Sequence, residues 1–396
     1  MPDALYNSTY AQLYLPLLQD YRNAMLERIA TLVNIDSGTG QTAGVNRIMD
    51  YLEQWLSDLG FTVTLHPTLP FGNNLLARRK GRGTARILLV GHVDTVYAAG
   101  SAHTRPFSIN NGLAYGPGVI DMKAGVVMAV YALRALLEAG FEDYGELYVF
   151  FNNDEEVGSA GSSPFLRDIA RQVDIGLVLE PSYSPAVVTH MRKGADKYIL
   201  EVSGLAAHAG GEPQKGRSAV IELAHKMIAI YSLNALLRGV TFNVTRLSSS
   251  EPLNIVPDMA RCHIAVRAFS QQALDRAAEK LEQIVTGHSI PDTRATLTRT
   301  PGRRPYEATP QVMELVAIAQ AEGQALGVQV RPEPKGGISD ANLLMEVGIP
   351  TLDSLGPIGS NLHNLDLEHL NIDSLPLRGA LLAGIIQHIC LSKPTG

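Results

Sequence analysis

The sequence predicts an α/β fold, with helices on both faces of a mostly parallel sheet, interrupted by an inserted α+β unit. Three observations predict it. Residues 86–90, 147–151 and 175–179 are short unbroken apolar runs, the mark of strands buried on both faces. Long apolar helical patterns alternate with them. The rhythm then changes between residues 195 and 298, and the α/β alternation returns after Arg304.

Taken in order, residues 42–59 carry an apolar stripe at helical spacing and close on Gly60. Residues 61–66 and 74–78 read as strands, followed by the buried strand 86–90. Residues 122–139 form a long apolar helix ended by Gly140, followed by strands 147–151 and 175–179. In the middle, strand 195–202, helix 219–232, strands 241–247 and 259–268, helix 271–286 and strand 293–298 follow one another. That β-α-β-β-α-β order is the ferredoxin-like split unit. Its length suits a small domain of its own. Helix 310–326, strand 328–331, helix 338–347, strand 351–355 and an apolar helix 375–391 complete the chain. Residues 1–190 and 304–396 are therefore expected to form one α/β domain, and residues 191–303 the inserted one.

Composition narrows the function. The chain has 396 residues, 45% hydrophobic and 18% charged, which excludes a disordered solvating polymer. Lys+Arg total 33 against 39 Asp+Glu, a formal charge of −6 with no basic stripe, so no nucleic acid is expected as partner. The two cysteines, Cys262 and Cys390, make neither a disulfide framework nor a thiolate zinc site and fit a reducing compartment. The N-terminus has no basic n-region followed by an apolar stretch, so a cytoplasmic location is expected. No apolar run approaches the roughly 18 residues of a membrane span, so no membrane is expected either.

The polar residues of interest follow the buried strands, where open α/β sheets bind ligands. His92 and Asp94, in the string GHVDT, lie two apart and share a face in extended chain. Asp94 can fix the second imidazole nitrogen of a ligating His92, or hold a ligand another way. Asp121 follows the glycine-rich YGPGVI and is expected to open the helix from Met122 as its N-cap. Asp154, Glu155 and Glu156 follow an apolar strand; three adjacent acids repel one another, and a cation relieves that. One glutamate can then bind metal while its neighbour holds a water, the division that metal-assisted hydrolysis requires. Glu180 ends another strand, and His363 stands far downstream in NLHN. Each alone has a plain structural reading. Together they are nitrogen and oxygen ligands without cysteine, the donor set of hydrolytic rather than structural zinc. Five such residues serve two metals if one carboxylate bridges them.

The ordered strings GHVDT, YGPGVIDMKAG, FFNNDEEVGSAGS, LVLEPS, GLAAHAG and GGISDA, with the late LH, resemble the zinc aminoacylase and carboxypeptidase superfamily, most nearly its carboxypeptidase G, or glutamate carboxypeptidase, branch. The resemblance implies a zinc-exopeptidase-like catalytic domain with a ferredoxin-like lid and dimerisation domain. It implies two Zn2+ per subunit, with cobalt or manganese as possible substitutes. His92 and Glu180 would hold one, Glu156 and His363 the other, and Asp121 would bridge. Glu155 would be the general base and Asp94 would orient His92. His208 of the lid would stabilise the oxyanion in the partner subunit of a homodimer. Arg267 would grip a free carboxylate, while Asn254 and, from the GGISDA loop, Gly337 would contact substrate. The implied reaction cleaves a peptide or N-acyl amide and releases an amino acid with a free carboxylate. An N-acyl-amino-acid amidohydrolase is the alternative. A metal-stabilised binding protein without activity is a third reading; it predicts a missing ligand or base, and each of those positions is filled. Residues 183–187 carry no cation for a glutamate side chain, so glutamate selectivity does not follow.

Overall fold

The computed structural model describes residues 9–250 and 252–392. The chain divides into two compact units. One is drawn from Met1–His190, Ala308–Pro334 and Ser339–Gly396, the other from Met191–Glu307 and Lys335–Ile338.

The first unit is built on a six-stranded sheet. Its order is Thr62–Thr68, Gly72–Lys80, Glu146–Asn152, Arg86–His92, Ile175–Val178, Thr351–Leu352. The first two strands pair as an antiparallel hairpin, and the second meets Glu146–Asn152 antiparallel. The other pairings are parallel. Side chains alternate across a strand. Ile87 and Leu89 on one face, and Leu88 and Val90 on the other, are all fully buried, so both faces are covered. This is why these strands read as unbroken apolar runs. The helices Ala124–Glu138 and Ser374–Ser392 pack against each other within the main apolar cluster. Thr42–Asp58 lies against the hairpin.

Several boundaries differ from the sequence reading. The helix expected over 338–347 runs only over Ala341–Glu346, because Ser339 and Asp340 spend their side chains on Asp353, Ser159 and Asn152. The strand expected at 328–331 is instead Arg331–Lys335, paired with Val187–Arg192 in a two-stranded sheet. Its two prolines are tolerated because it is an edge. Two N-terminal helices, Ala11–Asp20 and Arg22–Val33, were not expected. Two helices, Ala219–Leu236 and Ser374–Ser392, are long and apolar enough to cross a membrane by length and composition alone, a test that the core helix of a soluble protein also passes. Ser374–Ser392 is buried in the core of the first unit. Ala219–Leu236 belongs to the second, with Glu222 and Lys226 paired in its buried face and Ile221, Ile228, Tyr231 and Leu236 exposed.

The second unit is an antiparallel sheet in the order Thr241–Ser249, Met259–Ala268, Gly194–Ser203, Arg294–Pro301. Helices Ala219–Leu236 and Gln271–Thr286 cover the face that carries Tyr198, Leu200 and Val202. Each starts on a serine cap: Ser218 accepts from Ile221 N–H and Ser270 from Ala273 N–H. The β-α-β-β-α-β order is as the sequence predicts.

Candidate metal centre

Three strand ends deliver most of the acidic and imidazole groups. The parallel register sets His92 beside Asn152 and Val90 beside Val178. The chain therefore leaves all three strands at one edge, and His92, Asp94, Glu155, Glu156 and Glu180 follow within a few residues of it.

Asp121 and His363 come from loops joined by a small antiparallel sheet. Its order is Gly359–Ser360, His369–Asn371, Leu113–Tyr115, Ser108–Asn110, with His369 opposite Tyr115. This sets the loop after Tyr115 beside the loop that carries His363. Gly118 turns there with φ 68°, and a Cβ would stand 2.4 Å from Thr95 Cγ2, so only glycine fits. Asp121 is not the N-cap the sequence suggests. It has φ −116° and ψ 91° inside an irregular turn, Val119–Lys123, and the regular helix begins at Ala124. The backbone amides of Gly118, Ile120 and Asp121 are taken by the carboxylate of Glu368 instead. That leaves the Asp121 carboxylate to face the two imidazoles.

Asp121 Oδ1 lies 3.2 Å from His92 Nε2, and its Oδ2 lies 3.2 Å from His363 Nε2. His363 Nε2 is 3.4 Å from Glu156 Oε2, and His92 Nε2 is 3.9 Å from Glu180 Oε1. Two atoms bound tetrahedrally to one zinc at about 2.05 Å stand about 3.3 Å apart, so the first three spacings match the edges of a coordination tetrahedron. His92, Asp121 and Glu156 form one group able to hold a cation, and His92, Glu155 and Glu180 another. Glu156 Oε1 is buried without a hydrogen-bond partner, which a cation would supply. The residues fit a pair of divalent cations.

The imidazole of His92 is fixed in one orientation. Its Nδ1 lies 3.0 Å from the Asp94 carbonyl oxygen and donates to it, which leaves the Nε2 lone pair toward Asp121 and Glu180. The Asp94 side chain has a wider role than orienting His92. Oδ1 accepts from Glu155 N–H at 3.1 Å, and Oδ2 accepts from Glu156 N–H at 3.2 Å and from Thr39 Oγ1 at 2.6 Å.

Electrostatics agree with a centre short of positive charge. Burial raises the pKa of Glu155 well above the carboxylate range, and the nearby Glu180 charge adds to it. Burial does the same to Glu156. At His92 burial works downward, but hydrogen bonds to Asp121 and Asp94 prevail and raise its pKa. The hydrogen bond to Asp121 raises His363. Burial opposes the ionisation of Asp121, yet hydrogen bonds to His363 and His92 hold it below the usual range. Carboxylates that push one another up while pulling imidazoles up with them are what a cation neutralises.

The other sequence candidates lie in the second unit. His208 Nδ1 accepts from Gly210 N–H at 3.2 Å and Gly211 N–H at 2.9 Å, so its proton is carried on Nε2. Asn254 holds the same loop through Ala209 N–H, at 2.9 Å from its carbonyl oxygen. Arg267 is exposed on Met259–Ala268, opposite Thr241 and Ala195. Gly337 accepts through its carbonyl oxygen from Arg192 Nη1 at 3.1 Å. Residues that sequence reasoning missed are Thr39, Glu368 and Asp340. Asp340 accepts from Asn152 Nδ2 and Ser159 Oγ behind Glu155. It sits in the quoted GGISDA string, so its signal was present; Glu368 had only its closeness to His363.

The profile of peptidase family M20/M25/M40 matches residues 88–388. The chain belongs to this family. Carboxypeptidase G2 of Pseudomonas sp. (strain RS-16) is 32% identical over 381 residues, covering 94% of this chain and 91% of that protein. Succinyl-diaminopimelate desuccinylase of Dechloromonas aromatica is 25% identical, covering 92% and 98%. Among solved structures, aminopeptidase PepT of Bacillus cereus superposes with a TM-score of 0.80 at 22% identity, covering 93% of this chain and 98% of that one. As a member of the M20 family the chain is a hydrolase, which the sequence motifs had implied.

Proposed function

We propose that this M20 chain is a binuclear zinc hydrolase that cleaves a peptide or N-acyl amide and releases an amino acid with a free carboxylate. The observation that carries the reading is Asp121, whose two carboxylate oxygens each lie 3.2 Å from a different imidazole. His92 and Glu180 would hold one cation, Glu156 and His363 the other, and Asp121 would bridge, with cobalt or manganese as substitutes. When bound, such a pair supplies Lewis acidity that polarises a carbonyl and acidifies a water. Glu155 takes a proton from the attacking water as oxygen adds to the carbonyl carbon. It returns that proton to the amine nitrogen as the C–N bond breaks. Its carboxylate lies in one group with His92 and Glu180, and its backbone N–H is held by Asp94 Oδ1, which place it for both halves of that exchange. In a homodimer His208 would offer its Nε2–H to the oxyanion in the partner subunit, a donor worth about 2.7–4 kcal/mol by analogy with other oxyanion donors. Arg267, with its planar fork, takes the substrate carboxylate. Lys193, whose pKa is lowered by burial and by the charge of Arg267, adds a second cation to that region. Asn254, which holds the His208 loop, and Gly337, bonded to Arg192 beside Lys193, would contact substrate as well.

A homodimer through the second unit completes the reading. The helix Ala219–Leu236 leaves Ile228 68% and Tyr231 70% exposed, and Thr241–Ser249 is an open sheet edge. Such a face and such an edge are ordinarily covered. The buried free cysteines Cys262 and Cys390 fit a cytoplasmic setting. An N-acyl-amino-acid amidohydrolase is the same chemistry with a different acyl group, and the similarity to a desuccinylase favours keeping it in view.

The test is a panel of N-acyl amino acids, dipeptides and folate-type conjugates assayed with the zinc-loaded protein. Amine release that vanishes with chelator and in Glu155→Gln supports the reading. Bound metal with no turnover of any substrate overturns it in favour of a binding protein. Mixing His208→Ala with Glu155→Gln tests the dimer: regained activity in the mixture supports a site shared between subunits.

A further inference from the structure

The carboxylate of Glu368 is almost fully buried, and no role in the proposed chemistry uses it. Its Oε1 accepts from Ile120 N–H at 3.0 Å and Asp121 N–H at 3.3 Å. Its Oε2 accepts from Gly118 N–H at 3.3 Å and from the Tyr97 hydroxyl. Three backbone amides of one loop thus converge on a carboxylate from another loop. Glu368 N–H in turn donates to Asn364 carbonyl oxygen at 2.8 Å, so the segment from His363 to Glu368 is a closed turn. His363 itself has φ 63°, a left-handed conformation that is uncommon outside glycine. Resting on the proposed metal centre, we infer that Glu368 is a positioning residue. It locks the Asp121 loop to the His363 loop and so sets the spacing between the bridging carboxylate and the histidine of the second cation. The first cation draws His92 and Glu180 from strand ends that the main sheet already aligns. The second depends on two loops that meet through Glu368 and the short strands beside it.

The prediction is therefore selective. Zinc binding to the full-length wild-type protein and to Glu368→Gln is measured by equilibrium dialysis against a competing chelator, with the melting temperature recorded alongside. Gln keeps the shape but replaces one acceptor oxygen with an NH2 that opposes backbone donors. We expect the wild type to hold two zinc ions, and the variant to bind the one at His363 and Glu156 about 10- to 100-fold more weakly while the one at His92 and Glu180, which loses only part of its hold on the bridging Asp121, weakens by less. Activity then returns at high zinc with kcat near wild type. Should Glu368→Gln prove unfolded, Tyr97→Phe, which removes one donor to the same carboxylate, is expected to weaken chiefly the ion at His363 and Glu156, and to a smaller extent. Two ions held at wild-type affinity in a folded variant, or both weakened equally with a lowered melting temperature, overturn the inference. A wild-type chain that never takes up a second zinc overturns the metal reading itself, and is seen before any variant is made.

Discussion

Asp94→Asn is the sharpest perturbation the centre offers. The side chain is fully buried, and its oxygens accept from Glu155 N–H, Glu156 N–H and Thr39 Oγ1. In Asn one oxygen becomes an NH2 donor. Facing the Oδ1 side, it would meet Glu155 N–H and the His92 ring, 3.4 Å away. Facing the Oδ2 side, it meets Glu156 N–H and the Thr39 hydroxyl, which can rotate to accept. The second orientation costs less, and it still leaves one buried amide unsatisfied. Such an orphan costs about 1–3 kcal/mol, which is roughly 5- to 150-fold in an equilibrium constant. Because Glu156 is the residue displaced, the loss is expected in zinc affinity and in kcat/KM together. Thr39→Val removes only the hydroxyl and is expected to cost less, about 1 kcal/mol. Competitive zinc titration and steady-state kinetics of both variants read the difference. Unchanged zinc affinity in Asp94→Asn, or a larger loss in Thr39→Val, would refute the reasoning.

Three further outcomes follow from packing and charge. Gly125→Ala places a Cβ 2.7 Å from the Leu179 carbonyl oxygen, the residue before Glu180, and is expected to lower stability by about 1–3 kcal/mol in chemical denaturation while weakening zinc binding. Arg378, fully buried, donates to the carbonyl oxygens of Ser354, Gly356, Pro185 and Val187; Arg378→Met is expected to cost at least about 3 kcal/mol, read as a lowered melting temperature. In the second unit, burial opposes ionisation of Glu222, but Lys226 and the amides of Ile290 and Ser289 prevail and hold its pKa below the usual value. Its contribution is therefore present above about pH 4.3 and lost as pH falls through the lower folded value, so Glu222→Gln should flatten the acid limb of a stability-against-pH curve.

The strands of the main sheet were legible because burial on both faces leaves an unmistakable run such as Ile87 to Val90. His92, the acids after Asn152 and Glu180 were legible for the same reason: polar groups directly after such runs stand out. Asp121 was found, but its backbone was misread. An aspartate before an apolar helix looks like a cap, and nothing local tells that Glu368, far along the chain, takes the amides a cap would serve. Thr39 was hidden likewise, since it acts through Asp94, a partner distant in sequence. The small sheet that joins the Asp121 and His363 loops has strands of two or three residues, too short to carry a periodic signal. The helix Ala11–Asp20 was obscured by its internal Pro16.

The order of residues along the chain has a consequence for biosynthesis. His92, Asp121, Glu156 and Glu180 all leave the ribosome before the inserted unit, while His363 and Glu368 emerge well after it. On the proposed ligand set, a growing polypeptide holds most of a cation pocket for the whole time that the insertion is being made, yet cannot complete it, and a product interrupted before His363 would lack a ligand of the second cation.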